Sequence, residues 1–163
     1  MSKSVVKELK AGLCLVLPLV LLLGGCAANR AISVGDMQSI QPAHTTIALA
    51  PQGGLFADLI GIELAAQGYT IVDTGATLAI LVFQHRAQEN LLTPEVMATL
   101  RKQGIDALMV VEKADGADGL PQTVQVRLLS TVSMTEIGGV DWENGWFRRG
   151  VLESAQEIAA ALI

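Results

Sequence analysis

Cysteine is nearly absent: the 163 residues contain two, Cys14 and Cys26. Everything after position 26 is thiol-free, so that part has no disulfide, thiolate nucleophile or cysteine-bound metal, and its fold must rest on a core alone. Histidine is as scarce. His44 and His85 lie far apart with no second pair at metal-ligand spacing, and no metal is expected. Positive charge is in deficit, 11 Lys and Arg against 16 Asp and Glu. A nucleic-acid binder needs a basic footprint to neutralise phosphates, so a nucleic-acid partner is excluded. The apolar run from Ala11 to Leu23 is 13 residues long, contains Pro18 and ends in Gly24-Gly25. A membrane-crossing helix needs about 20 apolar residues, so this run is too short and too broken to be one.

What the run does have is context. Lys3, Lys7 and Lys10 precede it and small residues follow it, the layout of a secretory signal segment. Leu23-Gly24-Gly25-Cys26 resembles the lipobox of bacterial lipoproteins. The resemblance implies cleavage between Gly25 and Cys26, with a diacylglyceryl thioether and an N-acyl chain on Cys26. That covalent lipid is the one attached group expected, with no cofactor besides. Two or more acyl chains anchor a protein stably where one is marginal, at about 0.8 kcal/mol per buried methylene. Ala27 rather than aspartate after the cysteine resembles cargo sent to the outer membrane, with the domain facing the periplasm. Removing residues 1–25 leaves 138, one domain's worth. It also removes Lys3, Lys7, Lys10 and Glu8, which moves the net charge from −5 to −7.

Residues 26–44 read as an acylated N-terminus and tether, polar and without a clear period, although Ile32, Val34 and Ile40 leave room for a short strand. Residues 45–163 read as a single α/β (α+β) domain, a mixed sheet of about five strands with helices packed on it. Thr45–Ala50 is an apolar strand, followed by a Pro51–Gly54 turn and a helix over Leu55–Gln67 that stops at Gly68. Tyr69–Asp73 is a second strand. A helix from about Ala76 to Gln88 is expected to put Leu78, Val82 and His85 on one side, with Ala79 and Phe83 beside them. Thr93 and Pro94 mark the N-cap and first position of another helix, which ends at Gln103-Gly104. Ile105–Lys113, apolar on both faces at its middle, suits an interior strand. Gln122–Ser133 alternates, with Val124, Val126, Leu128, Ser130 and Val132 inward. Thr135–Gly139 is read as a turn, Val140–Trp146 as the returning strand, and a last helix follows Gly150 with Val151, Leu152, Ala155, Ile158, Ala159 and Leu162 on one stripe.

A strand ending Ala48-Leu49-Ala50-Pro51, the Gly68-Tyr69-Thr70-Ile71-Val72-Asp73-Thr74 strand, Gly104-Ile105-Asp106-Ala107 and Val126-Arg127-Leu128-Leu129 together resemble one periplasmic α/β domain. It is shared by curli-secretion channel subunits, the TolB amino-terminal domain and lipoprotein activators of penicillin-binding proteins, and it occurs in lipoprotein rings that assist exopolysaccharide export. The resemblance spans roughly residues 45–162 and implies a non-enzymatic accessory or assembly role for a cell-surface structure, through self-association or docking on envelope proteins. An activator that binds a periplasmic peptidoglycan synthase is the alternative. The chain lacks the long alternating hairpins with which curli-type subunits build a transmembrane barrel.

No catalytic constellation is present: no nucleophile, base and orienting residue can be named together. Ser4-Val5-Val6-Lys7 matches an acyl-transfer motif only inside the signal segment. Asp115 and Asp118 share a glycine loop without the spacing of a calcium loop. Trp142, Trp146, Phe147, Arg148 and Arg149 form the one suggestive cluster, as candidate interface or membrane-contact residues, since tryptophan suits interfaces and headgroups and arginine suits lipid phosphates. In a strand Trp142 and Trp146 point to one face, and the alternative, favoured for Trp142, is that this face is the core. The cleavage and lipidation reading predicts that Cys26→Ser abolishes incorporation of radiolabelled palmitate and shifts the protein out of the membrane fraction.

Overall fold

The computed structural model describes residues 30–34, 45–83, 91–145 and 149–162. Strands β1 (Arg30–Val34), β2 (Thr46–Leu49), β3 (Thr70–Val72), β4 (Ala107–Asp115), β5 (Pro121–Ser130) and β6 (Glu136–Glu143) form one sheet in the order β1-β6-β5-β4-β2-β3. Helices α1 (Gly54–Ala66), α2 (Thr74–Phe83), α3 (Pro94–Lys102) and α4 (Val151–Ala161) pack on it. Strands β3, β2 and β4 run parallel, while β4, β5, β6 and β1 alternate in direction. The sheet is therefore mixed. Its parallel half is where the connections are helical, and its antiparallel half is where they are short turns.

Local chemistry explains the elements. Helices α1 and α3 both stop at a glycine in the left-handed region, Gly68 at φ 100° and Gly104 at φ 76°. In each, the N–H of the next residue reaches back to the last turn, Tyr69 to the Leu64 carbonyl at 3.3 Å and Ile105 to the Leu100 carbonyl at 3.2 Å. Tyr69 and Ile105 are themselves buried, so the stop turns straight into the core. Thr93 accepts from the Val96 N–H at 3.4 Å with Pro94 at the first helical position. Asp58 on α1 takes both the Thr74 N–H and the Thr74 hydroxyl at 2.9 Å, pinning the start of α2 against α1.

Two apolar clusters sit on opposite faces of the sheet. Ile47, Leu49, Met109, Val126, Leu128 and Val140 meet α1 and α4 on one face. Ala48, Ala50 and Leu108 meet α2 and α3 on the other, through Leu81, Val96, Met97 and Leu100. Consecutive residues of β2 and β4 thus serve different layers, which is why these strands read as apolar on both sides. Beyond Leu129 of β5, which packs against this second cluster, helices α2 and α3 leave β5 and β6 uncovered. There the same face carries Glu112, Gln125, Arg127 and Asp141, with Arg127 bridging to Asp141 at 2.9 Å and to Glu136 at 3.6 Å.

Several expectations are corrected. The sheet has a sixth strand: β1 lies inside the segment read as a tether and pairs with β6 along its whole length. Strand β5 ends at Ser130 rather than Ser133, because the turn spans Thr131–Thr135, with Met134 in the left-handed region at φ 59°. Val132, expected inward, is 68% exposed in that turn. Thr135–Gly139 is not the turn, since β6 begins at Glu136 and ends at Glu143. On α4 the buried residues are Ser154, Ala155, Ile158 and Ala159, while Leu152 is exposed. Gly139 needs its missing side chain: a Cβ there would lie 2.5 Å from the Val126 carbonyl oxygen. Gly139→Ala is expected to cost about 1–3 kcal/mol in urea denaturation through forced displacement of the β5–β6 ladder.

Candidate docking surface

The suggestive tryptophan cluster divides. Trp142 on β6 is 2% exposed, part of the core against α4. Its indole N–H donates to Glu157 on α4 at 3.0 Å, and Glu157 also pairs with Arg149 at 3.1 Å. Asn144 holds the neighbouring chain, accepting the Arg149 N–H at 2.9 Å and donating to the Pro121 carbonyl at 2.8 Å. Trp142 is thereby a packed anchor for α4, with its one polar atom satisfied, and its ring is withheld from any partner. Arg149 is on the surface beside it. Trp146, Phe147 and Arg148 lie outside the described residues, as do Gly25, Cys26, His44 and His85.

The glycine loop is a structural turn. Gly116 donates to the Leu120 carbonyl at 2.8 Å, Gly119 takes φ 74°, and Asp115 is engaged by Lys113 at 2.8 Å. Among the described residues no group of three or more His, Cys, Asp or Glu is placed to hold a metal ion, and no helix is long and apolar enough to cross a membrane. Pro51–Gly53 is a short 3₁₀ turn closed by the Gly53 N–H on the Ala50 carbonyl at 3.0 Å. Burial raises the Tyr69 phenol above its ordinary pKa, which keeps this core residue neutral.

The surface that stands out lies on α2, the second helix expected from the sequence. Helix α2, Thr74-Gly-Ala-Thr-Leu-Ala-Ile-Leu-Val-Phe83, contains no charged residue. It buries Thr77 and Leu81, and Thr77 bonds the Val72 carbonyl at 3.3 Å. The side expected to carry Leu78 and Val82, with Phe83 beside them, faces out: Leu78 is 42% exposed, Val82 53% and Phe83 82%. The reason is the Asp58–Thr74 clamp, which sets the rotation of α2 and presents Thr77 and Leu81 to the sheet. A sequence signal was there to be used. One buried stripe needs a third of a helix surface, whereas this helix is apolar all round, a pattern that belongs to a helix covered on both sides. The Trp142–Glu157 bond has its own test: Trp142→Phe is expected to lower unfolding free energy by about 1.5–3 kcal/mol, the worth of a hydrogen bond to a charged group.

No family model matches the sequence, and no curated protein matches it. Solved structures do. The PelC dodecamer from Paraburkholderia phytofirmans is similar with TM-score 0.52 at 12% identity, over 83% of this chain and 94% of that one. A point variant of the same dodecamer gives the same TM-score and coverage at 15% identity. The LpoB C-terminal domain from Salmonella enterica is similar with TM-score 0.48 at 16% identity, over 65% of this chain and 87% of that one. The family likeness drawn from the sequence thus has its counterpart among solved structures, and the fold is the one on which the PelC dodecamer is built.

Proposed function

We propose that this chain is a non-enzymatic accessory lipoprotein of the bacterial outer membrane, acylated on Cys26, which associates with copies of itself in the export or assembly of a cell-surface structure. The observation that carries the reading is the outer face of α2. Burying a Leu, Val or Phe side chain is worth about 1.5–3 kcal/mol, so Leu78, Val82 and Phe83 together supply enough apolar surface to hold an interface. The PelC dodecamer, with the same fold, supports a multimer of like subunits. An envelope protein seated on α2 would use the same contacts. The mechanism is positional: the lipid fixes the domain at a bilayer and repeated contacts between domains build a platform.

The alternative, an activator reaching a peptidoglycan synthase through the cell-wall layer, needs a long flexible tether. Strand β1 begins at Arg30, leaving three residues between Cys26 and the sheet. At about 3.3–3.6 Å per extended residue, that span is far too short to cross the wall. Detergent-extracted protein is expected to sediment as a multimer. Val82→Glu is expected to weaken that association at least about tenfold, the equivalent of 1.4 kcal/mol, with thermal unfolding unchanged. A wild-type protein that is monomeric at every concentration overturns self-association.

A further inference from the structure

The lipid attachment and the sheet are close neighbours in the chain, and this fixes which end of the domain meets the bilayer. The inference rests on acylation of Cys26. Four residue steps separate Cys26 from Arg30, at most about 14 Å of extended chain. The headgroup layer of one leaflet takes up roughly 5–7 Å of that, from the difference between the about 40–45 Å bilayer and its about 30 Å hydrocarbon core. The remaining reach is less than the about 10 Å diameter of a single helix. The start of β1 therefore has no position far from the headgroups.

Register identifies its neighbours. Arg30 pairs with Glu143 at the end of β6, and Glu143 pairs with Thr123 near the start of β5. The Gly116–Leu120 loop, Asn144 and the first turn of α4 belong to this same end, because Asn144 bonds both Pro121 and Arg149. Val34 pairs with Gly139 at the opposite end, where the Thr131–Thr135 turn lies. The first turn of α4 presents Leu152, 53% exposed, and Val151, 36% exposed. Leu55, 76% exposed, adjoins Phe56, whose ring lies 5.7 Å from the Lys113 ammonium two residues before the end of β4. Two carboxylates at this end are ion-paired, Asp115 with Lys113 at 2.8 Å and Glu157 with Arg149 at 3.1 Å. This lowers the repulsion an acidic protein would otherwise meet at anionic headgroups.

We infer that the sheet end carrying Leu55, Arg149, Val151 and Leu152 rests on the bilayer that holds the Cys26 lipid, with Val151 and Leu152 among the headgroups and the Thr131–Thr135 turn farthest away. The apolar side chains give shallow insertion, and Arg149, held by Glu157 through one guanidinium nitrogen, keeps its other N–H groups as donors for lipid phosphate. The two ends of the domain thereby have fixed and different surroundings.

The thiol-free domain makes a direct test available, since the thioether sulfur of Cys26 does not react with a thiol label. Leu152→Cys and Val132→Cys, both at exposed positions, are labelled with an environment-sensitive fluorophore in the mature lipoprotein. The protein is reconstituted in phosphatidylcholine and phosphatidylglycerol vesicles carrying nitroxide lipids. Quenching at position 152 is expected to exceed that at position 132 several-fold, with a blue-shifted emission. Equal quenching, or stronger quenching at 132, in protein that floats with the vesicles overturns this inference and leaves the lipidation standing. Protein that fails to float overturns the lipidation, and this inference with it.

Discussion

Burial of β2 and the first half of β4 on both faces is the constraint on which the rest of the molecule depends. With no thiol after Cys26 to cross-link the chain, stability must come from apolar area removed from water, and a strand buried on one face supplies only half of what it can. Ile47 and Leu49 serve one layer while Ala48 and Ala50 serve the other. The small side chains lie on the α2–α3 face and let those helices sit close to the backbone. Gly61 plays the same part on the other face, where a Cβ would come within 2.7 Å of Leu49 and 3.1 Å of Ile71.

That constraint also explains the asymmetry of the domain. Helices α2 and α3 are short and cover only the parallel half of the sheet, so β5 and β6 can carry Gln125, Arg127 and Asp141 toward solvent while Val124, Val126 and Trp142 close the other face. The strict alternation of β5 follows from one dry face and one wet face, just as the unbroken apolar stretch of β4 follows from two dry ones. Surplus hydrophobicity then appears where neither need accounts for it, on the outer side of α2 and the first turn of α4. The first lies on the helix that flanks the sheet edge. The second lies at the sheet end where β1 begins.

Much of this was legible beforehand because its causes are local. The Gly68 and Gly104 stops, the Thr93-Pro94 start and the alternation of β5 as far as Leu128 each depend on a few adjacent residues and stand where the sequence placed them. What the sequence left open depends on contacts distant along the chain. The rotation of α2 is set by Asp58, 16 residues away from Thr74, so periodicity within an all-apolar helix could not tell which side faces in. Strand β1 owes its place to β6, more than a hundred residues later, and its own polar surroundings gave only the hint of Ile32 and Val34. Trp142 illustrates a third case. Its spacing to Trp146 was plain, whereas its commitment to the core follows from Glu157 on a helix that packs back over β6.

The pairing of β1 with β6 has a mechanical side. Tension on the chain that precedes Arg30 runs along the axis of a strand whose five residues are paired antiparallel with β6. Load applied in that direction is shared by all the cross-strand bonds at once, as in a lap joint, instead of opening them one after another as in a zipper. Edge strand β1 therefore resists traction along the chain through the shear strength of its pairing with β6.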